Sequence, residues 1–155
     1  MKKAIIIWET RTGATSAIAL ILEEELKGAG IEVVARRILN AEEEGYDLVE
    51  AIKGADAVIL GSPTYNRDMI SPMKEFLLKL EKANLKGKIG AAFGSYGWSG
   101  EAVPMITEVM KNAYKMSVIE PCLKVIERPS GSSENECQEF GRTIAAKIKS
   151  KKRTP

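Results

Sequence analysis

The chain has 155 residues and a mass of 16.9 kDa, the size of one domain, and its 45% hydrophobic and 28% charged residues are typical of a globular protein. It contains no histidine, which excludes Ser-His-Asp catalysis, histidine proton shuttles and histidine-ligated metal centres. The net charge of +2 favours neither nucleic acid nor a membrane surface as partner, and two cysteines are too few for a thiolate metal site.

The first predicted element is a near-continuous apolar run at residues 3–8, the pattern of a strand buried on both faces. The run stops at Glu9, which makes it too short for a secretory signal or a membrane span. With Cys122 and Cys137 expected to be reduced, we predict a cytoplasmic protein without membrane insertion.

Apolar runs alternate with helical patterns along the rest of the chain. The first half of the chain is predicted to continue with a helix over 15–29, a less apolar strand over 31–38 near a sheet edge, a short helix around 47–54 and a strand over 56–61. The second half is predicted to contain a helix from Ser71, a strand over 88–94, a helix over 101–115, a fifth strand within 117–127 interrupted by Pro121, and a last helix from Ser133. Ser71 is predicted to cap its helix with Pro72 at the first helical position, and Ser133 with Glu136 matches a capping box.

Five β/α units in strict alternation predict an α/β fold, a parallel sheet between two layers of helices. We expect a single domain over residues 1–155. Its basic tail, about 147–155, is interpreted as a solvated helix end rather than a docking site for an acidic partner or nucleic acid. Ligands of such sheets bind at the carboxyl ends of the strands, so function is expected in the three loops at 9–15, 61–71 and 94–101.

The loop at 9–15 has the composition of an anion site. Thr10, Thr12 and Thr15 offer hydroxyl donors where a helix begins, and Gly13 allows the backbone a tight turn close to a ligand. The alternative is that Thr15 only caps the helix and Gly13 only serves the turn. The hydroxyl cluster favours a phosphate site.

Other phosphate chemistries fit less well. The chain has neither G-x-x-x-x-G-K-[ST] nor G-x-G-x-x-G, and Trp8-Glu9 is not the acidic cluster of a phosphoryl relay. Cys122 and Arg128 have the C-x-x-x-x-x-R spacing of a phosphatase, but the residues between them are typical of a strand without glycine. We interpret that match as chance.

The other two loops place aromatic residues at the same edge. Tyr65 lies in the first of them and Tyr96 and Trp98 in the second, and flat rings on loops suit stacking on a planar heterocycle. The alternative is that Tyr65 and Trp98 pack under their own loops as local core.

Three motifs together resemble the flavodoxin family. They are Ile6-Ile7-Trp8-Glu9-Thr10-Arg11-Thr12-Gly13-Ala14-Thr15, Gly61-Ser62-Pro63-Thr64-Tyr65-Asn66 and Ala91-Ala92-Phe93-Gly94-Ser95-Tyr96-Gly97-Trp98-Ser99-Gly100. The last two are most similar to the flavodoxin domain of A-type flavoproteins, the flavodiiron proteins. The resemblance implies a flavodoxin-like three-layer sandwich with strand order 2-1-3-4-5 and FMN at the point where that order reverses.

The resemblance also assigns the cofactor-binding residues. Thr10, Arg11, Thr12, Gly13, Ala14 and Thr15 would hold the phosphate; Ser62, Pro63, Thr64, Tyr65, Asn66 and Arg67 would flank the ribityl chain and ring; and Ser95, Tyr96, Gly97, Trp98, Ser99 and Gly100 would close the other side, with Trp98 or Tyr96 stacking. No catalytic residue and no metal ligand is assigned.

Two departures from the family shape the functional prediction. Flavodiiron proteins reduce oxygen or nitric oxide at a histidine-rich diiron site in a second domain, and a chain without histidine cannot hold that site. In addition, Asn66-Arg67-Asp68 lacks the glycine that many flavodoxins place beside the flavin, which argues against strong stabilisation of the half-reduced cofactor. The alternative is that Asn66, a residue type that tolerates positive φ better than most, takes the place of that glycine.

We therefore expect a free-standing FMN domain that carries one or two electrons between redox partner proteins, a donor reductase and an acceptor. One alternative is an FMN-dependent NAD(P)H:quinone or flavin reductase, and another is a regulatory or scaffolding module that responds to the flavin state. Arg11 and Arg67 are expected to favour the anionic reduced flavin.

Overall fold

The structure, a computed structural model, describes residues 1–152. Its strands are β1 (Lys3–Trp8), β2 (Glu32–Arg37), β3 (Ala57–Gly61), β4 (Thr64–Tyr65), β5 (Asp68–Met69), β6 (Ile89–Tyr96), β7 (Ser117–Val118) and β8 (Leu123–Ile126). Its α-helices are α1 (Ala14–Gly28), α2 (Ile38–Glu43), α3 (Leu48–Lys53), α4 (Ser71–Lys79), α5 (Ala102–Glu108) and α6 (Ser132–Ser150). A 3₁₀ turn over Leu80–Lys82 extends α4, and a π-helical segment over Val109–Ala113 extends α5.

The central sheet is parallel, with the order β2-β1-β3-β6 and with both β7 and β8 paired to β6. β7 pairs with the start of β6 and β8 with its end, so the two short strands together form the predicted fifth strand. Pro121 lies in the gap between them, where a residue without an N–H cannot donate to the sheet. The predicted fold class and strand order are confirmed.

The sheet forms the middle of three layers, each face covered by its own hydrophobic core. Ile5 and Ile7 of β1 enter a core with α2, α3, α4 and α5, whereas Ala4 and Ile6 enter a core with α1 and α6. This alternation follows from the two-residue repeat of a strand, and burial on both faces explains why β1 is apolar throughout. β2 is an edge strand and is only partly buried, as its weaker apolar character predicted.

Two short elements and two helix starts differ from the sequence-based expectations. α2 and the hairpin of β4 and β5 do not follow from the sequence pattern, because α2 begins directly after β2 with no turn between them and each hairpin strand has only two residues. Ser71 is the first residue of α4 rather than its cap, since Ile70 holds that position. The capping box at Ser133 is wrong: α6 begins at Ser132, and the Ser133 hydroxyl bonds back to Ser130 instead.

Within residues 1–152, no helix combines the length and the apolar character needed to cross a membrane.

Candidate functional site

The three predicted loops meet at the carboxyl edge of the sheet and enclose a cavity of about 460 Å³. Its walls are formed by Thr12, Ala14, Pro63, Thr64, Tyr65, Ser95, Tyr96, Gly97, Glu127 and Arg128. Eight of these ten residues belong to the predicted cofactor-binding set. The cavity adjoins the ends of β1 and β3, where the strand order reverses and ligands of this sheet type bind.

The first loop is held in place by Glu9, a buried carboxylate that directly follows β1. Its oxygens accept hydrogen bonds from the backbone N–H of Thr10 at 3.0 Å and of Leu39 at 2.9 Å. They also accept two from the Arg37 guanidinium, at 2.8 and 2.5 Å. Glu9 is only 2% exposed, so this ion pair is shielded from water on the carboxylate side. Sequence reasoning did not identify Glu9 as a site residue, although an acidic residue directly after an apolar strand is a signal that a partner must be near.

The bend itself leaves the start of α1 open toward the cavity. The Gly13 N–H donates to the Thr10 hydroxyl at 3.1 Å, and Gly13 has φ of 93°, which an L side chain rarely adopts. No side chain of residues 1–152 caps α1, so the N–H groups of its first turn keep their donors for a ligand. Such a turn carries roughly half a positive charge and suits a phosphate.

Thr15 has a structural contact rather than a place on the cavity wall. Its side chain is fully buried, and its hydroxyl lies 2.8 Å from that of Ser95, which joins α1 to the end of β6. The Trp8 indole likewise donates to Ser16 at 2.8 Å, fastening β1 to α1. The hydroxyl cluster predicted from the sequence is therefore divided between the bend, the cavity wall and the packing of α1.

The second loop depends on Ser62, which is also buried. The Ser62 hydroxyl donates to the Pro63 carbonyl at 2.9 Å and accepts from the Ile70 N–H at 3.2 Å, closing the loop around the hairpin. The loop approaches β6 so closely that a Cβ on Gly94 would lie 2.0 Å from the Ser62 carbonyl oxygen. The Thr64 hydroxyl accepts from the Ala102 N–H at 3.0 Å and so links the loop to α5.

The hairpin turn contains two left-handed residues and no glycine. Asn66 has φ of 50° and Arg67 φ of 62°, the combination required by a two-residue type I′ turn. Asp68 pairs with Lys74 of α4, and the hydrogen bond from that ammonium lowers the pKa of the Asp68 carboxyl. The ion pair ties the strand after the turn to α4.

Arg11 projects across the second loop. Its guanidinium carbon lies 4.5 Å from the centre of the Tyr65 ring, a cation–π contact that holds the ring at the cavity wall. This contact joins the first and second loops directly.

The third loop contributes unequally to the cavity. Ser95, Tyr96 and Gly97 line it, whereas Trp98 is 97% exposed and lies outside it. The pKa of the Glu101 carboxyl is lowered, mainly because Ser99 hydrogen-bonds to it. Gly100 packs beside the Tyr96 ring. Of the two rings considered for stacking, Tyr96 is the one at the cavity.

Glu127 and Arg128 reach the cavity from beyond β8, outside the three predicted loops. Residues 123–126, between Cys122 and Arg128, form strand β8, as expected, and Cys122 does not line this cavity with Arg128. Arg128 is nevertheless part of the cavity wall, which its position in the sequence did not indicate.

These residues fit FMN. The uncapped start of α1, the Thr12 side chain and Arg128 provide donors for a phosphate, while Tyr65 and Tyr96 provide flat surfaces for a ring system. Within residues 1–152, no group of three or more Cys, Asp or Glu side chains is arranged to hold a metal ion.

A larger cavity, about 520 Å³, lies at the opposite, amino edge of the sheet and is rich in lysine. Lys151 and Lys152 of the basic tail line it, Lys151 donates to the Gly87 carbonyl, and burial lowers the pKa of Lys88. The lysines mostly bond backbone carbonyls there, and ligands of parallel sheets bind at the other edge, so we assign the site to the smaller cavity. The last three residues of the tail, 153–155, lie outside the described residues.

Comparisons with known proteins agree with this geometry. Residues 6–141 match the family model described as flavodoxin. A type A flavoprotein of Rhodobacter capsulatus is 37% identical over 147 residues, 93% of this chain and 33% of that protein. A nitric oxide reductase of Moorella thermoacetica is 35% identical over 146 residues, 94% of this chain and 36% of that protein. The chain therefore spans about a third of the length of the curated relatives it matches.

Solved structures give the same result. A flavodoxin from the domain Archaea superposes with a TM-score of 0.86 at 34% identity, covering 95% of this chain and 99% of that one. The rubredoxin oxygen:oxidoreductase of Desulfovibrio gigas superposes with a TM-score of 0.88 at 26% identity, over 96% of this chain and 36% of that one.

Proposed function

This chain belongs to the flavodoxin family, whose members bind FMN, and we propose that its FMN lies in the carboxyl-edge cavity and carries one or two electrons between protein partners. The observation that carries the proposal is the meeting of an uncapped helix start and two aromatic loops around one cavity. When bound, FMN supplies the redox chemistry. The proposal treats residues 1–155 as one FMN domain, and the two free cysteines support a cytoplasmic location.

In this proposal the protein binds FMN and adjusts its reduction potential. The first turn of α1 and the hydroxyl of Thr12 hold the phosphate. Eight of the eighteen residues assigned from the resemblance line the cavity, and others, such as Thr15 and Ser62, support its walls. Tyr65 and Tyr96 bound the ring, with Tyr65 steadied by Arg11. No side chain needs to act as a general acid or base, because the flavin exchanges electrons itself.

Electrons would pass between a donor reductase and a separate acceptor. The relatives named nitric oxide reductase and rubredoxin oxygen:oxidoreductase contain this domain as about a third of a longer chain. We propose that the acceptor is an oxidoreductase of that general kind, supplied with electrons by this domain.

The test is the behaviour of the purified protein with FMN. A carrier binds FMN, is reduced slowly by NADPH alone in stopped flow and rapidly once a flavoprotein reductase is added. Rapid direct reduction by NADPH would support the reductase alternative instead. Equal reduction rates with and without the added reductase, or a protein that stays colourless in excess FMN, would contradict the carrier.

Arg11 and Arg67 are proposed to raise the reduction potential. A unit positive charge about 10 Å from the ring stabilises an added negative charge by roughly 0.4–1.7 kcal/mol, or about 10–35 mV for a two-electron couple. Arg11→Gln and Arg67→Gln should each lower the potential by that amount in spectroelectrochemistry. Arg142→Gln, on the outer face of α6, is the matched control, and unchanged potentials in all three would refute the idea.

A further inference from the structure

Arg128 lies two residues beyond the end of β8 (Leu123–Ile126). β8 pairs with the end of β6, with Ile126 opposite Tyr96, and the Glu127 N–H then donates to the Tyr96 carbonyl at 2.8 Å. Glu127 has φ of 56°, a left-handed conformation that turns the chain out of the sheet at its carboxyl edge. The turn delivers Arg128 to the cavity.

The Arg128 guanidinium lies across the bend that precedes α1. Its Nη2 donates to the Thr12 carbonyl at 3.2 Å, although the two residues are 116 positions apart in the chain. A Cβ built on Gly13 would lie 2.9 Å from the same nitrogen, so the guanidinium covers the bend at the residue that opens it. A guanidinium has five donors, and this bond uses one of them.

The other arginines near the bend are engaged elsewhere. Arg37 neutralises Glu9 beneath the loop, and Arg11 stacks on Tyr65. Glu127 also lines the cavity, and its negative charge offsets part of the attraction that Arg128 exerts on an anion. Arg128 is therefore the arginine on the cavity wall whose remaining donors are placed beside the uncapped start of α1.

We propose that Arg128 binds the phosphate of FMN and is a determinant of the preference for FMN over riboflavin. A guanidinium recognises a phosphate through paired, charge-assisted hydrogen bonds, and riboflavin offers it no such partner. The inference rests on the proposed position of FMN in this cavity. The competing explanation is purely structural: Arg128 fastens the loop to β8 through the Thr12 carbonyl.

Fluorescence titration of the flavin-free protein with FMN and, separately, riboflavin distinguishes the two explanations. Arg128→Gln should weaken FMN binding about tenfold, the size expected of one charge-assisted contact, and leave riboflavin binding within about twofold. Arg128→Lys keeps the positive charge but loses the paired donors of the guanidinium, so its FMN affinity should lie between those of the natural sequence and Arg128→Gln. Arg142→Gln removes the same charge from the α6 surface and should change neither affinity.

A second measurement uses the anion alone. Inorganic phosphate should raise the melting temperature of the flavin-free protein, and the rise should shrink in Arg128→Gln. Added salt should weaken FMN binding more steeply for the natural sequence than for Arg128→Gln. A variant that fails to fold would show in its circular dichroism, and Arg128→Lys then decides the question by its FMN-to-riboflavin ratio.

Equal losses of FMN and riboflavin affinity in the Arg128 variants would overturn the proposal in favour of the structural role, and no loss of either would overturn it outright. Tyr96→Ala tests separately whether FMN lies in this cavity at all. If the ring lies beside Tyr96, the substitution should weaken the binding of both FMN and riboflavin. If Tyr96→Ala changes neither affinity, the proposed position of FMN is wrong. The phosphate contact is supported if the Arg128 variants lose affinity for FMN but not for riboflavin, while Tyr96→Ala loses affinity for both.

Discussion

Replacing Glu9 by alanine is expected to destabilise the protein by about 3 kcal/mol. The change removes the acceptor of two part-buried backbone N–H groups, those of Thr10 and Leu39, and each should cost about 1 kcal/mol, the lower end of the range for a donor left without a partner. Arg37 is 35% exposed and can be hydrated again, so the loss of its ion pair adds no more than about 1 kcal/mol. For a chain of this length the total corresponds to a fall in melting temperature of about 6–12 °C.

Urea unfolding of the flavin-free protein measures this directly, with the midpoint lowered and the slope unchanged. Glu9→Gln retains one carbonyl acceptor and should give a smaller loss. Glu50→Ala is the matched control, because Glu50 forms an exposed pair with Lys53 and its loss should cost less than about 0.5 kcal/mol. A loss below about 1 kcal/mol for Glu9→Ala would refute the reasoning, since it would mean that water replaces the carboxylate at no cost.

Three further predictions concern packing, a thiol and a carboxyl group. Gly94→Ala should lower the unfolding free energy by about 3 kcal/mol or more and weaken FMN binding, because the new Cβ would meet the Ser62 carbonyl at 2.0 Å. Burial raises the pKa of Cys137 to about 11, so a thiol reagent at pH 8 should label only Cys122 in the folded protein and both cysteines in urea. The lowered pKa of Asp68 gives stability that is present above the ordinary carboxyl pKa and lost as pH falls through the lowered value; Asp68→Asn should shrink the difference in urea midpoint between pH 7 and pH 3.

Each of these three predictions has a control or an outcome that would contradict it. Gly28→Ala adds a methyl group with no neighbour within 4 Å and should be neutral or stabilising, so equal losses for both glycine variants would contradict the packing argument. Labelling of two thiols in the folded protein would contradict the burial of Cys137. An unchanged acid response in Asp68→Asn would show that its pairing with Lys74 contributes nothing to folding.

The sequence alone was sufficient for the layers of the fold and the edge that carries the site. A strand buried on both faces must be apolar throughout, as Ile5, Ile6 and Ile7 show, and a surface helix must repeat its apolar residues at helical spacing. These are local rules, so they can be read along the chain. Alternation of the two patterns then places every strand end, and hence the three loops, at one edge.

Only the tertiary structure decided what the loop side chains do. Thr15 looks like a phosphate donor in its local context, yet its hydroxyl is hydrogen-bonded to that of Ser95 in β6. The position of Glu9 after an apolar strand indicates that the carboxylate has a partner, but only the fold identifies that partner as Arg37. Arg128 reaches the cavity because β8 pairs with β6 and a left-handed turn follows β8. The sequence around Thr12, the residue that Arg128 contacts, gives no indication of either feature. Hydrogen bonds and ion pairs depend on distances between segments far apart in the chain, whereas burial and periodicity are properties of each segment.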